Sequence, residues 1–347
     1  MITAAQIPTG KVPHWERFLR RVEPHDTDYK IVIPSFDRPA ELCGNTLTLL
    51  KREGIDVDRV SIFVSPVTAK NKKQPEWYRY ADACIANGFS EVHIRPGGRN
   101  LEEQMAKAME WAGSGYIIVM SDTVRRILSA EKKDDKVAPL ETAKGSLPCI
   151  FEHGYQLMQA TGCVAWSVDP SHNPKHLEHW AISRKLGLLD GNLTGMMLPH
   201  DWKRMKVTKG HGLIYDVEWS AALWSNGYRF FRYRGLCCEH RYRQEGGQAT
   251  LMKDALYRRK VENEAIRKVS EKYPECLAPM HKPRASLRNM EYKFFAKGPS
   301  NLIMTIPYAG RKRKYHMTTG STSTERMRRM RQRRKVEKQG TNTLKAS

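Results

Sequence analysis

The stretch Asn100–Met120, NLEEQMAKAMEWAGSGYIIVM, decides the fold. Asn100 stands where a helix N-cap belongs, and Glu103, three residues on, completes the capping-box spacing. Leu101, Met105, Ala108, Met109 and Ala112 then fall on one helical face as an apolar stripe. Gly113 and Gly115 stop the pattern, and Tyr116–Met120 follows as an unbroken apolar run, the mark of a strand buried on both faces. A helix leading straight into such a strand is the repeating unit of a parallel sheet.

Three further strands lie upstream: Tyr29–Phe36 (YKIVIPSF), Val60–Val64 (VSIFV) and Glu91–Ile94. Between the first two, Pro39 opens a helix with Cys43, Leu47 and Leu50 at i, i+4, i+7, and Gly54 closes it. Residues 75–87 read as the next helix. Four strands alternating with helices predict the α/β class, a doubly wound mixed or parallel sheet. In such sheets ligands bind outside the carboxyl ends of the strands. The chain divides into an N-terminal arm (1–28), broken by Pro8, Pro13 and Pro24, and a Rossmann-like half (29–128). A polar stretch (129–145, SAEKKDDKVAPLETAKG) expected to be a flexible loop comes next, then a second half (146–310) and a basic tail (311–347).

The 347 residues hold 59 Lys and Arg against 37 Asp and Glu, a formal net charge of +22. From Arg311 to Ser347 there are 13 Lys and Arg and two acids, which puts +11 on the tail and leaves +11 on the rest. That sign and clustering imply a polyanionic partner, most simply nucleic acid; the bland alternative is a protein kept soluble by charge. An apolar fraction of 40 % with 8 Trp excludes disorder of the whole chain. No run approaches the ~18 apolar residues of a membrane span and no basic-then-apolar leader opens the sequence, so the expectation is a soluble, cytoplasmic protein with no membrane partner. Seven Cys is an odd number, none spaced C-x-x-C, and the vicinal Cys237-Cys238 suits neither an ordinary disulfide nor a zinc knuckle, so reduced thiols are expected.

No G-x-G-x-x-G follows the first strand and no G-x-x-x-x-G-K-[ST] occurs, which argues against a dinucleotide or P-loop site. The strand ends carry other chemistry. The first runs into Pro34-Ser35-Phe36-Asp37-Arg38-Pro39, the third into Pro96-Gly97-Gly98-Arg99-Asn100, and the fourth into Ser121-Asp122-Thr123. The forked donors of Arg38 and Arg99 suit phosphate, and Asp37 can accept from a nucleobase or ribose; for any one of them, solvated surface charge is the alternative. Asp216 and Glu218 point to opposite faces if extended and share a first turn if helical; acids there are also simply favoured by the helix dipole. His172, His176 and His179 have helical spacing, expected to be a partly exposed helix face rather than a metal face. Trp166, Trp180, Trp202, Trp219 and Trp224 read first as core, with base stacking by one or two of them as the alternative. Tyr228–Arg243 (YRFFRYRGLCCEHRYR) interleaves aromatics with Arg, as phosphate-and-stacking contacts do and as a half-buried strand also does; Gly235 interrupts it and Arg241 and Arg243 flank His240, which favours an active-site edge.

The order of these segments resembles a GT-A-fold glycosyltransferase, and most closely the phage TET-associated glycosyltransferases, which place sugars on hydroxymethylated pyrimidines in DNA. "IVIPSFDRP" (31–39), the Gly-Arg-Asn turn opening a helix, and a strand ending in Asp carry the likeness. Ala165-Trp166-Ser167-Val168-Asp169-Pro170 with Asn173-Pro174 resembles the family's Trp-Gly-x-x-Pro…Asn-Pro segment, Asp216-Val217-Glu218 its Asp-x-Glu, and Gly246-Gly247 its late Gly-Gly turn. It covers about residues 29–260. The departure is Ser121-Asp122-Thr123, where the family usually shows an Asp triplet.

The resemblance implies a nucleotide-sugar co-substrate, UDP-glucose by default, held by the 29–128 half through Pro34, Ser35, Asp37, Arg38, Gly98, Arg99, Asn100, Gln104, Ser121 and Asp122. A divalent metal, Mn or Mg, would sit at Asp122 with His240. The 146–310 half would be acceptor-binding and catalytic: Asp216 as base with Glu218 second, and Trp166, Asn173, Arg241, Arg243, Gly246 and Gly247 toward DNA containing modified pyrimidines, 5-hydroxymethylcytosine first. The rival readings are a glycosyltransferase with a protein or glycan acceptor, and a non-catalytic nucleic-acid-binding protein on a decayed GT-A fold.

Overall fold

The computed structural model describes residues 27–66, 75–90, 92–113, 115–133, 136–178, 181–198, 202–204, 207, 212–240, 254–281, 290–294 and 303–305. The expected tail, the arm except for its last two residues, and Arg241, Arg243, Gly246, Gly247, His179 and Trp180 lie outside them.

The first, second and fourth strands form where both faces are apolar. β1 (Tyr29–Ser35), β2 (Val60–Val64), β3 (His93–Pro96) and β4 (Tyr116–Met120) are parallel, in the order β4-β1-β2-β3. Helix α1 joins β1 to β2. It is α-helical over Pro39–Leu42 and Thr48–Arg52, with a π turn at Cys43–Leu47 between them. α2 (Glu76–Ala86) leads to β3, and α3 (Leu101–Ala112) leads to β4. Asn100 caps α3 as the sequence predicts: its side chain accepts from the Glu103 N–H at 2.9 Å. Glu103 reaches back one residue further than a capping box requires, accepting from the Arg99 N–H at 3.0 Å.

Alternate side chains of these strands serve two cores. Ile31, Ile33, Ile62, Ile118 and Met120 pack with Leu42, Leu50, Tyr80 and Cys84 of α1 and α2. Val32, Phe63, Ile117 and Val119 pack on the opposite face with Met105, Ala108 and Met109 of α3. Two-sided burial is what the unbroken apolar runs encode.

The sheet then continues through the second half of the chain. β5 (Val124–Lys133) and β6 (Lys136–Glu141) form an antiparallel hairpin, and α4 (Ser146–Thr161) leads to β7 (Ala165–Asp169). β8 (Ala181–Ser183), β9 (Leu193–Met197), α5 (Tyr215–Ser225), β10 (Phe230–His240) and α6 (Ala255–Lys272) follow. β11 (Leu277–His281) and β12 (Met290–Phe294) make a separate two-stranded sheet, and β13 (Ile303–Thr305) joins β8. The main sheet has eleven strands along the order β13-β8-β10-β7-β9-β4-β1-β2-β3, with β5 and β6 branching from β10. β9 is antiparallel to both neighbours, so the carboxyl ends of β4 and β7 share one edge with those of β1–β3. The architecture is thus mixed α/β, and the 29–128 and 146–310 halves build one sheet. No helix among the described residues is long and apolar enough to cross a membrane, and all seven cysteines are free thiols.

Two expectations are corrected. The 129–145 stretch is not a loop: it forms most of the β5–β6 hairpin, because Ile127 and Ala130 are buried while β5 pairs along β10. The run of Lys and Asp in EKKDDK hides this in the sequence. Residues 172–178 form no helix. Pro174–His176 is only a turn, and Arg234 pins the segment through the His176 carbonyl and Glu178 (3.3 Å).

Candidate active site

Chain order and strand order together locate the crevice. β1 to β2 to β3 runs one way across the sheet, and β4 returns to the other side of β1. The switch in direction opens a cleft between the carboxyl ends of β1 and β4, the usual ligand position in such sheets. Ser35 ends β1 there, and Asp122 lies just past β4.

The two side chains meet. Ser35 Oγ donates to Asp122 Oδ2 at 2.5 Å and lies 2.6 Å from the Tyr80 hydroxyl of α2. Tyr80 accepts from the Arg38 N–H at 3.0 Å, and the Arg38 guanidinium is 3.5 Å from Asp122 Oδ1. Burial raises the Asp122 pKa, opposed by the Arg38 charge and the Ser35 hydroxyl. Burial together with the Asp122 charge holds Tyr80 well above its ordinary value, so it remains a donor. Gln104 of α3 donates to the Ser35 carbonyl at 3.1 Å. Thr46, on the π turn of α1, donates to the Ser121 carbonyl at 2.8 Å and accepts from the Val124 N–H at 3.1 Å, which fixes the turn bearing Asp122.

Asp37 takes the left-handed conformation, φ +54°, unusual for a residue other than glycine. Its N–H donates to Glu76 Oε2 at 2.8 Å and its carboxylate binds Arg79 at 2.8 Å, while Arg79 also pairs with the fully buried Glu76. Opposite, Gly97 and Gly98 are required by contact. A Cβ on Gly97 would stand 2.8 Å from the Val64 carbonyl, and one on Gly98 2.1 Å from Glu103 Cβ. Arg99 follows on the surface. Pro34, Ser35, Asp37, Arg38, Gly98, Arg99, Asn100, Gln104, Ser121 and Asp122 therefore all stand at or beside the carboxyl ends of β1, β3 and β4. Asn100 and Gln104 spend their side chains on capping and on the Ser35 carbonyl.

The second half brings further carboxylates to this edge. Asp169 ends β7, paired with Arg234 at 3.1 Å and accepting from the Ser171 N–H. Asn173 sits on the exposed turn beyond, its side chain accepting from the Lys175 N–H at 3.1 Å. Asp216 lies in the first turn of α5, its Oδ1 accepting from the Val217 N–H at 3.1 Å. His240 ends β10 opposite Val124, two residues past Asp122. Burial pushes its pKa down, leaving a neutral imidazole within 3.4 Å of the Cys238 carbonyl.

Two candidates fall elsewhere. Glu218 is fully buried and paired with Lys272 of α6 at 2.8 Å, which turns it from the crevice into the helix–helix contact. Trp166 is fully buried between glycines: a Cβ on Gly195 or Gly154 would lie 2.2 or 2.3 Å from its indole nitrogen, which donates to Tyr116 at 2.8 Å. It is core, with no face left for a base. Sequence reasoning missed Tyr80, Thr46, Glu76 and Arg79, whose only signal was polarity at otherwise apolar positions of α1 and α2, and Asp190, considered below.

No protein-family model matches the chain, and no curated protein matches it. Among solved structures it is similar to the mannosyltransferase PcManGT from Pyrobaculum calidifontis in complex with GDP-Man and Mn2+ (11 % identity, 74 % of this chain and 70 % of that one, TM-score 0.42). It is also similar to residues 1–349 of S. aureus TarS (6 %, 71 % and 65 %, TM-score 0.41) and to a mycobacterial protein (9 %, 85 % and 91 %, TM-score 0.40).

Proposed function

We propose that the chain is a glycosyltransferase that moves a sugar from a nucleotide-sugar to the hydroxyl of a 5-hydroxymethylpyrimidine in DNA. The observation that carries this reading is the Ser35–Asp122–Arg38 cluster at the β1–β4 switch point, flanked by the Gly97-Gly98 turn and the first turn of α3. Guanidinium forks and a helix N-terminus suit a diphosphate, and Asp37 suits the nucleoside. Asp216 is the base. As the acceptor oxygen bonds to the anomeric carbon, its proton passes to the Asp216 carboxylate, and the bond from that carbon to the diphosphate breaks with its electron pair.

Among the described residues no three His, Cys, Asp or Glu gather to hold a metal by themselves. The buried Asp122 carboxylate and the neutral His240 imidazole fit as a partial set, completed by diphosphate oxygens and water. When bound, a divalent cation there supplies charge neutralisation to the leaving diphosphate. The DNA acceptor rests on the sequence: on the +22 charge and on the motif order. In a duplex the hydroxymethyl group projects into the major groove, and extruding the base would bring it to the crevice.

Incubating the protein with UDP-sugars and hydroxymethylated or plain DNA, followed by nucleoside mass spectrometry, tests the reading. The expected result is a hexose mass increase on the modified base alone. Donor hydrolysis without labelled DNA moves the acceptor to another class, and tight DNA binding with no donor turnover overturns transfer altogether.

A further inference from the structure

Asp190 lies in the loop before β9 and is 4 % exposed, yet its Oδ2 has no hydrogen-bond partner. Its other atoms are tied down. Oδ1 accepts from the Asn192 side chain at 2.8 Å, and its carbonyl accepts from Thr194 Oγ1 at 2.6 Å. The loop bridges two parts of the crevice. On one side the Ser121 N–H donates to the Asn192 carbonyl at 3.1 Å, joining the loop to the residue before Asp122. On the other, the Leu189 N–H donates to Ser220 Oγ at 2.8 Å, and that hydroxyl donates to the Asp216 carbonyl at 2.6 Å. A Cβ built on Gly191 would come within 4.0 Å of Asp216 Cβ. The loop is thus lashed both to the β4 edge and to the first turn of α5.

We propose that Asp190 is a positioning residue for Asp216: a buried carboxyl, anchored to the β4 edge, that faces the base and fixes where and in which charge state it meets the acceptor hydroxyl. The inference rests on the transfer reading above and deepens it. Two carboxylates in one enclosed site disfavour double ionisation, and the more enclosed one keeps the proton. The groups bearing on Asp190 agree. The charges of Asp216 on α5 and of Asp169 at the end of β7, beside its partner Arg234, act on it, and its own charge acts on the thiols of Cys237 and Cys238 of β10. Burial first, then the Asp216 charge, pushes the Asp190 pKa up to about 8. At neutral pH the buried Asp190 carboxyl therefore keeps its proton, and above about 8 it places a second charge beside Asp216.

A role confined to folding would select a neutral, satisfied side chain here. A carboxyl with a raised pKa makes the fold most stable where it is protonated. That contribution is full below the ordinary carboxylate range near 4 and is lost as pH rises through about 8. Asn at 190 should remove that loss.

The test uses the full chain with Asp190→Ala and Asp190→Asn, measuring transfer to hydroxymethylated DNA from pH 6 to 9 and thermal unfolding over the same range. Asp190→Ala is expected to lower kcat about 10- to 100-fold with the donor KM unchanged. The wild type is expected to lose kcat near pH 8; Asp190→Asn should recover most of the Asp190→Ala loss and lack that fall. A pH profile of Asp190→Asn that superimposes on the wild type, or an effect of Asp190→Ala confined to the donor KM, overturns the proposal. If the wild type transfers sugar to no acceptor, the functional reading fails by itself and unfolding decides the carboxyl pair. Asp216→Asn must then shift the alkaline loss of stability to lower pH, and an unshifted loss overturns the pairing.

Discussion

At the end of β4, Asp122 has both oxygens engaged, one by Ser35 and one by Arg38, and each partner is held in turn by Tyr80. One strand away, in the loop before β9, Asp190 keeps an oxygen buried and unpartnered beside the charge of Asp216. The first region is a satisfied network, such as binds a ligand in a fixed pose at little cost. The second stores electrostatic cost, and perturbed carboxyl pairs of that kind cluster where protons move. On the proposed transfer reading, the β1–β4 end of the crevice would bind the donor and the α5 end would take the proton.

The sharpest way to break this division is Asp216→Asn, expected to lower kcat by about 10²–10⁴-fold while DNA affinity stays unchanged, read by transfer of radiolabelled sugar and by filter binding. Glu218→Gln is the control two residues away. Because Glu218 pairs with Lys272 inside the helix contact, its loss should lower the melting temperature and leave the turnover of folded molecules within a few-fold. Retained turnover in Asp216→Asn moves the base elsewhere. Next in size is Trp166→Ala. The indole fills the slot between Gly154 and Gly195, so its removal should cost about 3–5 kcal/mol in urea unfolding. A loss of DNA affinity without that loss of stability would return Trp166 to the acceptor surface.

The two regions also differ in how far the sequence disclosed them. The β1–β4 end was legible because its determinants are local. Doubly buried strands show as unbroken apolar runs such as Tyr116–Met120, the cap of α3 shows as Asn100 and Glu103, and the candidate site residues follow directly on the strand ends. The Asp190–Asp216 pair was not. The two residues are 26 positions apart, and they are brought into one neighbourhood because β9 pairs with β4 in the register Leu193 to Met120 while the Leu189 N–H ties the loop to Ser220 of α5. Local pattern also misled where tertiary contact decided: Arg234 overrode the helical spacing of His172 and His176, and pairing with β10 turned a Lys-rich stretch into a hairpin.

A smaller effect distinguishes the two kinds of buried titratable group in the second half. His153 of α4 is held 2.6 Å from the Tyr233 hydroxyl, and burial pushes its pKa down to about 3. The folded state keeps it neutral while the unfolded chain takes up a proton near 6.5, so its contribution is present above about 6.5 and is lost as pH falls toward 3. Between pH 7 and 5 that loss is about 2 kcal/mol, and His153→Gln should remove it from the unfolding curve. Its sign is opposite to that of Asp190, which loses stability toward alkali. A single variant at each position therefore separates the acid limb, a packing property, from the alkaline limb, a property of the crevice.

The smallest expected effect concerns the charge outside this crevice. Residues 311–347 carry +11, half the excess of the chain, and lie outside the described residues. If they act as a tether for the phosphate backbone, deleting them should weaken DNA affinity by about tenfold near physiological salt. The dependence on salt should flatten as well, by about 0.9 in the slope for every phosphate that is no longer neutralised. Turnover at saturating DNA should survive, since Asp216, Asp190 and the donor cluster are untouched. A truncated chain that turns over no sugar even at high DNA concentration would place the tail in the active site, and the division between binding and proton transfer would then have to include it.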